Sequence, residues 1–345
     1  MPLRVAMYYH NHDVRLEEVP RPVIGPGEML VQVKSCGICG SDVMEWYRRK
    51  KAPLVLGHEM CGVIAEIGER AASKYGYRPG QRVFVSHHVP CNTCRYCLGG
   101  HHTACYTLQS TNFDPGGFSE YVRVPELQVD RGVYVLPDEV SCEEGTLIEP
   151  LACVLRGQRL CGIEAGDTVL VIGAGISGLL HIQLARALGA GKIIATDIQE
   201  FRLQAAERFG ADAALASGED LAARVREIND QRLADLVIIC AGTESVIPPA
   251  LTAVDNGGSV LFFAVPPAGV QVPIPMTDLW RREITLKTSY GASPSDLMTA
   301  LELIRTARLP LLPRMITHRL SLDDAGLGFR LVADAAESIK VVINP

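Results

Sequence analysis

From about residue 150 to residue 290, short apolar runs alternate with stretches whose apolar positions recur every three or four residues. The runs are Thr168–Ile172, Lys192–Thr196, Asp235–Cys240, Ser259–Ala264 and Thr285–Tyr290. Uninterrupted, β-branched runs of this kind read as strands buried on both faces. Between the first two, Ile176, Leu179, Leu180, Leu184, Ala187 and Leu188 fall at helical intervals, and Gly189 supplies a stop. Further helices are expected near Glu200–Phe209 and Leu297–Arg308. This alternation predicts a doubly wound parallel sheet.

The texture before residue 150 is different. Met29–Lys34, Val63–Ile67, Val83–Ser86 and Tyr121–Val124 are separated by charge, glycine and proline, with turns expected at Pro22, Gly25, Pro26, Pro79 and Gly80. That pattern fits a β-rich, partly open barrel. The tail, from about Gly291, ends in an apolar run, Ile339–Ile343, expected to return to the first domain. The expected division is therefore 1–149 with 291–345, and 150–290.

Gly173, Gly175 and Gly178 stand between the first strand and first helix of the second domain in G-x-G-x-x-G spacing. The first glycine permits the tight turn, the second lets a pyrophosphate approach the backbone, and the third lets helix and strand pack closely. Ile176 and Ser177 open the helix, whose free N–H groups suit phosphates. Asp197, ending the next strand, suits a ribose 2′-hydroxyl and would repel a 2′-phosphate. Strand, loop, helix, strand and acid together indicate a dinucleotide site of the Rossmann type.

Composition narrows the options. The 345 residues suffice for about two domains. With 33 basic against 39 acidic residues the net charge is −6, which argues against a nucleic-acid partner. No apolar run approaches the roughly 20 residues of a membrane span, and the first residues carry no signal-peptide core, so no membrane partner and a cytoplasmic location are expected.

Eleven cysteines are clustered unevenly. Cys91, Cys94, Cys97 and Cys105 lie in C-x2-C-x2-C-x7-C spacing over 90–106, which suits a structural zinc with four thiolates and no open position; an iron–sulfur cluster and two disulfides are the rival readings. His101 and His102, inside this loop, are expected at the surface. Cys36, Cys61, Cys142, Cys153, Cys161 and Cys240 show no ligand spacing and read as small buried hydrophobes. A scattered set, Cys39, His58, Glu59 and Glu149, offers a soft sulfur, an imidazole and carboxylates, donors suited to a catalytic zinc.

The segments GICGSD, GHEMCGVIAEIG, the four-cysteine loop, GGFSEYV, IEP (Ile148–Pro150) and GAGISG occur in this order. Jointly they resemble the zinc-dependent medium-chain alcohol dehydrogenases, nearest the polyol (sorbitol-type) and threonine dehydrogenase branch. The resemblance runs from about Pro20 onward. It implies that Cys39 and His58 bind a catalytic zinc, with Glu59 and Glu149 sharing the remaining positions, and that Ser41 takes the substrate proton. It also implies a ribose-binding pair, Asp197 with Arg202, and a nicotinamide lining that includes Cys240–Thr243 and Val265.

The chain departs from the family in two places. Val43–Trp46 stands where many relatives carry a histidine of the proton exit, and Leu151–Arg156 where many polyol enzymes carry another. Arg156 reads as an anion contact or a helix cap. His87 and His88 read as surface residues or as cleft residues, and Trp46, Arg48 and Tyr290 are candidate substrate contacts. The resulting expectation is reversible NAD-linked oxidation of a secondary alcohol, with two zinc ions per chain, NAD preferred over NADP, and a homodimer or homotetramer paired through Thr285–Tyr290. An L-threonine or amino-alcohol dehydrogenase is the alternative within the class, and a non-catalytic nucleotide-binding or structural protein the alternative outside it.

Overall fold

The computed structural model describes residues 2–218, 220–335 and 337–345. The chain divides into two units. One comprises Met1–Ala152, Ala292–Ala307 and Leu312–Pro345; the other comprises Cys153–Gly291 and Arg308–Leu311. The second unit thus begins at Cys153 rather than residue 150, and it also takes in Arg308–Leu311.

The first unit is built on a sheet of seven strands. Its order is Ile316–Ser321, Lys340–Asn344, Met29–Gly37, Glu59–Ile67, Arg82–Ser86 and Val133–Val135, with Tyr121–Val124 also paired to Met29–Gly37. The C-terminal strand joins antiparallel to Met29–Gly37, Val342 opposite Gly37 and Ile343 opposite Cys36. A smaller sheet orders Asp13–Pro20, Pro2–His10 and Leu54–Val55. Its hairpin was not expected from the sequence. Within it the Tyr8 hydroxyl donates to Asn11 Oδ1 at 2.9 Å. Tyr8, Phe118 and Phe329 meet in the core, with centroids 5.5 and 5.4 Å from Phe329. Each such buried ring stabilises the fold by about 1.5–3 kcal/mol.

The second unit carries six parallel strands. Their order is Ala213–Ala216, Lys192–Asp197, Thr168–Ile172, Ala234–Ile239, Val254–Phe262 and Thr285–Thr288. Every residue of Thr168–Ile172 is buried, as its unbroken apolar run requires. The strand order reverses direction at Thr168–Ile172, the switch point where open α/β sheets bind ligands.

Element ends differ from the expectation where turn chemistry decides. The helix expected at Leu297–Arg308 spans Pro294–Arg305, because Ser293 and Asp296 form a capping box and Pro294 occupies the first helical turn. Thr285–Thr288 stops short of Tyr290. Among the described residues no helix is long and apolar enough to cross a membrane.

Candidate active site

In the first unit the chain leaves the strand Met29–Gly37 and turns through Gly40–Val43. Asp42 shapes this turn. Its Oδ2 accepts from the Cys39 N–H at 3.1 Å, while the Ser41 N–H donates to Cys39 Sγ at 3.5 Å. Across the sheet, His58 directly precedes the strand Glu59–Ile67. The ligand atoms of Cys39, His58 and Glu59 all lie within 4.8 Å of one another. Glu149, nearly buried in the first turn of Ile148–Cys161, is outside that group. Of the two glutamates read from the sequence, Glu59 is the one placed beside Cys39 and His58.

Asp42, fully buried, lies 3.3 Å from His58 Nδ1 and 3.5 Å from Arg48 Nη2. It orients the imidazole so that Nε2 is left for a metal, the usual role of a carboxylate behind a ligating histidine. Burial opposes a charge on His58, but Asp42 and the Cys39 sulfur outweigh it and raise this imidazole well above its ordinary value. Negative surroundings that hold a proton so firmly also suit a cation. Sulfur, nitrogen and oxygen donors at one point fit zinc.

Arg48 contacts Ser41 twice, Nε donating to the backbone oxygen at 2.9 Å and Nη2 to Oγ at 3.2 Å. A guanidinium only donates, so Ser41 Oγ is the acceptor and keeps its own hydrogen for another partner. The sequence reading noted Ser41 and Arg48 separately and passed over Asp42.

Glu59 pairs with Lys340, each about 1% exposed, and Lys340 Nζ also donates to Ile38 O at 3.1 Å. A Cβ on Gly37 would run into both side chains, which explains the glycine facing Glu59 in the strand register. The sequence reading missed Lys340. Its signal was a single charge inside the apolar tail SIKVVIN.

The four cysteines of the 90–106 loop also converge, their sulfurs all within 4.8 Å of one another. The Thr93 N–H and hydroxyl and the Cys94 N–H donate to Cys91 Sγ and lower that thiol to about 5. Burial pushes Cys97 the other way. The loop's apolar content is slight: Cys97, Cys105 and Leu108 are its buried cluster. Four converging sulfurs with little core beneath them fit a closed structural zinc site. His101 is exposed, but His102 is half-buried.

In the second unit Gly173 turns with φ +97°, and a Cβ on Gly178 would collide with the Gly173 oxygen. A Cβ on Gly175 would lie 3.7 Å from the Arg202 guanidinium. Ile176 and Ser177 begin the helix Ile176–Ala187. Asp197 closes the strand as expected, and its carboxylate ties the loop: Oδ2 accepts from Ala174 N–H at 2.7 Å and Oδ1 from Gln199 N–H at 3.0 Å. Arg202 Nη1 is 3.9 Å from Asp197. Cys240 donates its N–H to Ile172 O at 2.8 Å, and Val265 is half exposed. This cradle fits a dinucleotide.

Other expectations are corrected. His87 and His88 are half-buried rather than surface residues. Arg156 is buried in the middle of the helix Ile148–Cys161, away from its ends. Of the six cysteines without ligand spacing, Cys36 and Cys61 are buried, while Cys142, Cys153, Cys161 and Cys240 are partly exposed. Trp46 and Tyr290 are exposed.

Residues 25–138 match the family model of the alcohol dehydrogenase GroES-like domain, and residues 177–306 that of the zinc-binding dehydrogenase. The chain is 33% identical to a probable D-xylulose reductase A of Aspergillus clavatus, over 96% of this chain and 94% of that one. This chain belongs to the zinc-dependent medium-chain alcohol dehydrogenases. It is also 30% identical to the sorbitol dehydrogenase of Gallus gallus, over 96% and 93% of the two chains. Its fold superposes on that of a putative zinc-binding dehydrogenase from Sinorhizobium meliloti 1021 bound to NADP, with a TM-score of 0.87, 31% identity and complete coverage of both chains. As a member of this family, the enzyme is an oxidoreductase that uses zinc and a nicotinamide cofactor to act on an alcohol.

Proposed function

We propose that the enzyme reversibly oxidises a secondary alcohol of the polyol, sugar-alcohol or cyclitol class to the ketone, with NAD preferred over NADP. The convergence of Cys39, His58 and Glu59, with Asp42 behind the histidine, carries this reading. Cys39, His58 and Glu59 would hold a zinc ion that supplies Lewis acidity to the carbinol oxygen, and the loop of Gly173, Gly175 and Gly178 would hold the nicotinamide cofactor that supplies the hydride acceptor. Asp42 holds the His58 ring. Ser41 Oγ, oriented by Arg48, takes the alcohol proton and releases its own to solvent. Asp197 favours NAD by offering a carboxylate where NADP would bring a phosphate.

The four-sulfur loop supports a second zinc per chain. The strand Thr285–Thr288 lies at the sheet edge with all four residues exposed, which supports a homodimer or homotetramer formed by pairing that edge.

The test is NADH formation over a panel of sugars, polyols, cyclitols and amino alcohols, with Cys39→Ser and His58→Ala as controls. Both variants should lose turnover while still binding NAD. Near-normal turnover in either, or activity confined to L-threonine, would overturn the reading.

A further inference from the structure

His87 and His88 follow the strand Arg82–Ser86 and stand beside the candidate metal centre. The His87 ring lies 4.8 Å from that of His58 and 3.8 Å from that of His88, centroid to centroid. Their backbone is fixed. Gln128 Nε2 donates to His87 O at 3.3 Å and Ser86 Oγ to His88 O at 2.8 Å. Their side chains, by contrast, make no hydrogen bond among the described residues. His87 Nδ1 is shut away from solvent without a partner, and Nε2 is its nitrogen with access.

A buried N–H without an acceptor is rarer than a bare acceptor. The ring proton of His87 therefore belongs on Nε2, where an arriving oxygen can accept it. A donor on a backbone tied down beside His58 suits a substrate that has a second oxygen on the carbon next to the carbinol.

We propose that His87, through Nε2–H, is a specificity-determining residue that selects vicinal diols over simple secondary alcohols. This deepens the polyol reading above and rests on it. Buried polar groups built to meet a hydroxyl reject the analogue lacking it, because they are left unpaired.

The test compares 2,3-butanediol with 2-butanol in the zinc-loaded enzyme. It uses kcat/KM with NAD, and equilibrium binding of each alcohol to the enzyme–NADH complex followed by nicotinamide fluorescence. His87→Phe keeps a ring and removes both nitrogens, so the diol-to-monool ratio should fall about tenfold in both measurements. His87→Gln places an amide N–H near the Nε2 position and should retain most of the preference. His87→Asn places it near Nδ1 and should lose the preference like the Phe variant. An unchanged ratio in His87→Phe, or an Asn variant that matches wild type while Gln does not, overturns the proposal. A wild-type enzyme that forms NADH yet prefers 2-butanol also overturns it and leaves the alcohol dehydrogenase reading standing. A wild type inactive on every alcohol of the panel overturns both.

Discussion

The carboxylate of Glu59 is held by the ammonium of Lys340, two buried charges 281 residues apart in the chain. Glu59 therefore has a partner within the protein as well as a place beside Cys39 and His58. Removing one member of a buried pair strands the other and costs about 3–5 kcal/mol. Lys340→Met should lower the melting temperature of the metal-free protein, and added zinc should recover more of that loss than it adds to wild type, because a cation then compensates Glu59. Calorimetry with and without zinc checks this; equal melting of the two metal-free proteins would show that the ion pair is unimportant.

The 90–106 loop should depend on its metal. Cys94→Ala leaves three sulfurs and should lower the zinc content by about one ion per chain. The remaining core of Cys97, Cys105 and Leu108 is too slight to hold the loop, so protease should cut within it. Metal analysis and limited proteolysis read the two effects independently.

The cofactor preference proposed for Asp197 is tied to loop geometry, since its Oδ2 accepts from Ala174 N–H. Asp197→Ser should narrow the NAD-over-NADP ratio of kcat/KM at least about tenfold and destabilise the unit by about 1–3 kcal/mol through the orphaned amide. Equal use of both cofactors by the natural enzyme would remove Asp197 from that role.

His181 predicts an acid-sensitive core. Burial pushes its imidazole down from an ordinary 6.5 to about 3. Its Nδ1 meets Gln158 Nε2 at 3.1 Å, and that amide also donates to His181 O at 2.8 Å. The folded protein keeps His181 neutral while the unfolded chain protonates it below 6.5. The associated stability is complete above pH 6.5 and is lost as the pH falls towards 3, on the order of a few kcal/mol. His181→Leu should show a smaller drop in urea midpoint between pH 7 and pH 4.5 than wild type. The Gln158 contact to the backbone survives that substitution.

The parts legible in the sequence were those with a local signal. The glycine loop, the buried run Thr168–Ile172, Asp197 and the four-cysteine spacing all announce themselves within a few residues. Asp42 and Lys340 did not, because their meaning arises from partners remote in sequence: His58 for one, Glu59 for the other. The hairpin of Pro2–His10 and Asp13–Pro20 was missed because its strands carry polar residues on the outer face and no Gly-containing turn. For His87 and His88 the sequence left both a surface and a cleft reading, because nothing in the segment VSHHVPC records that the His58 ring packs against that of His87.

The strand Lys340–Asn344 fills the place between Met29–Gly37 and Ile316–Ser321. During synthesis, Cys39, His58 and Glu59 leave the ribosome long before that strand exists. Until it arrives, one edge of their sheet stays open and the Glu59 charge lacks its counter-ion. A nascent chain halted before residue 340 would expose this edge to other chains, because the strand that closes it also carries Lys340, the counter-ion of Glu59.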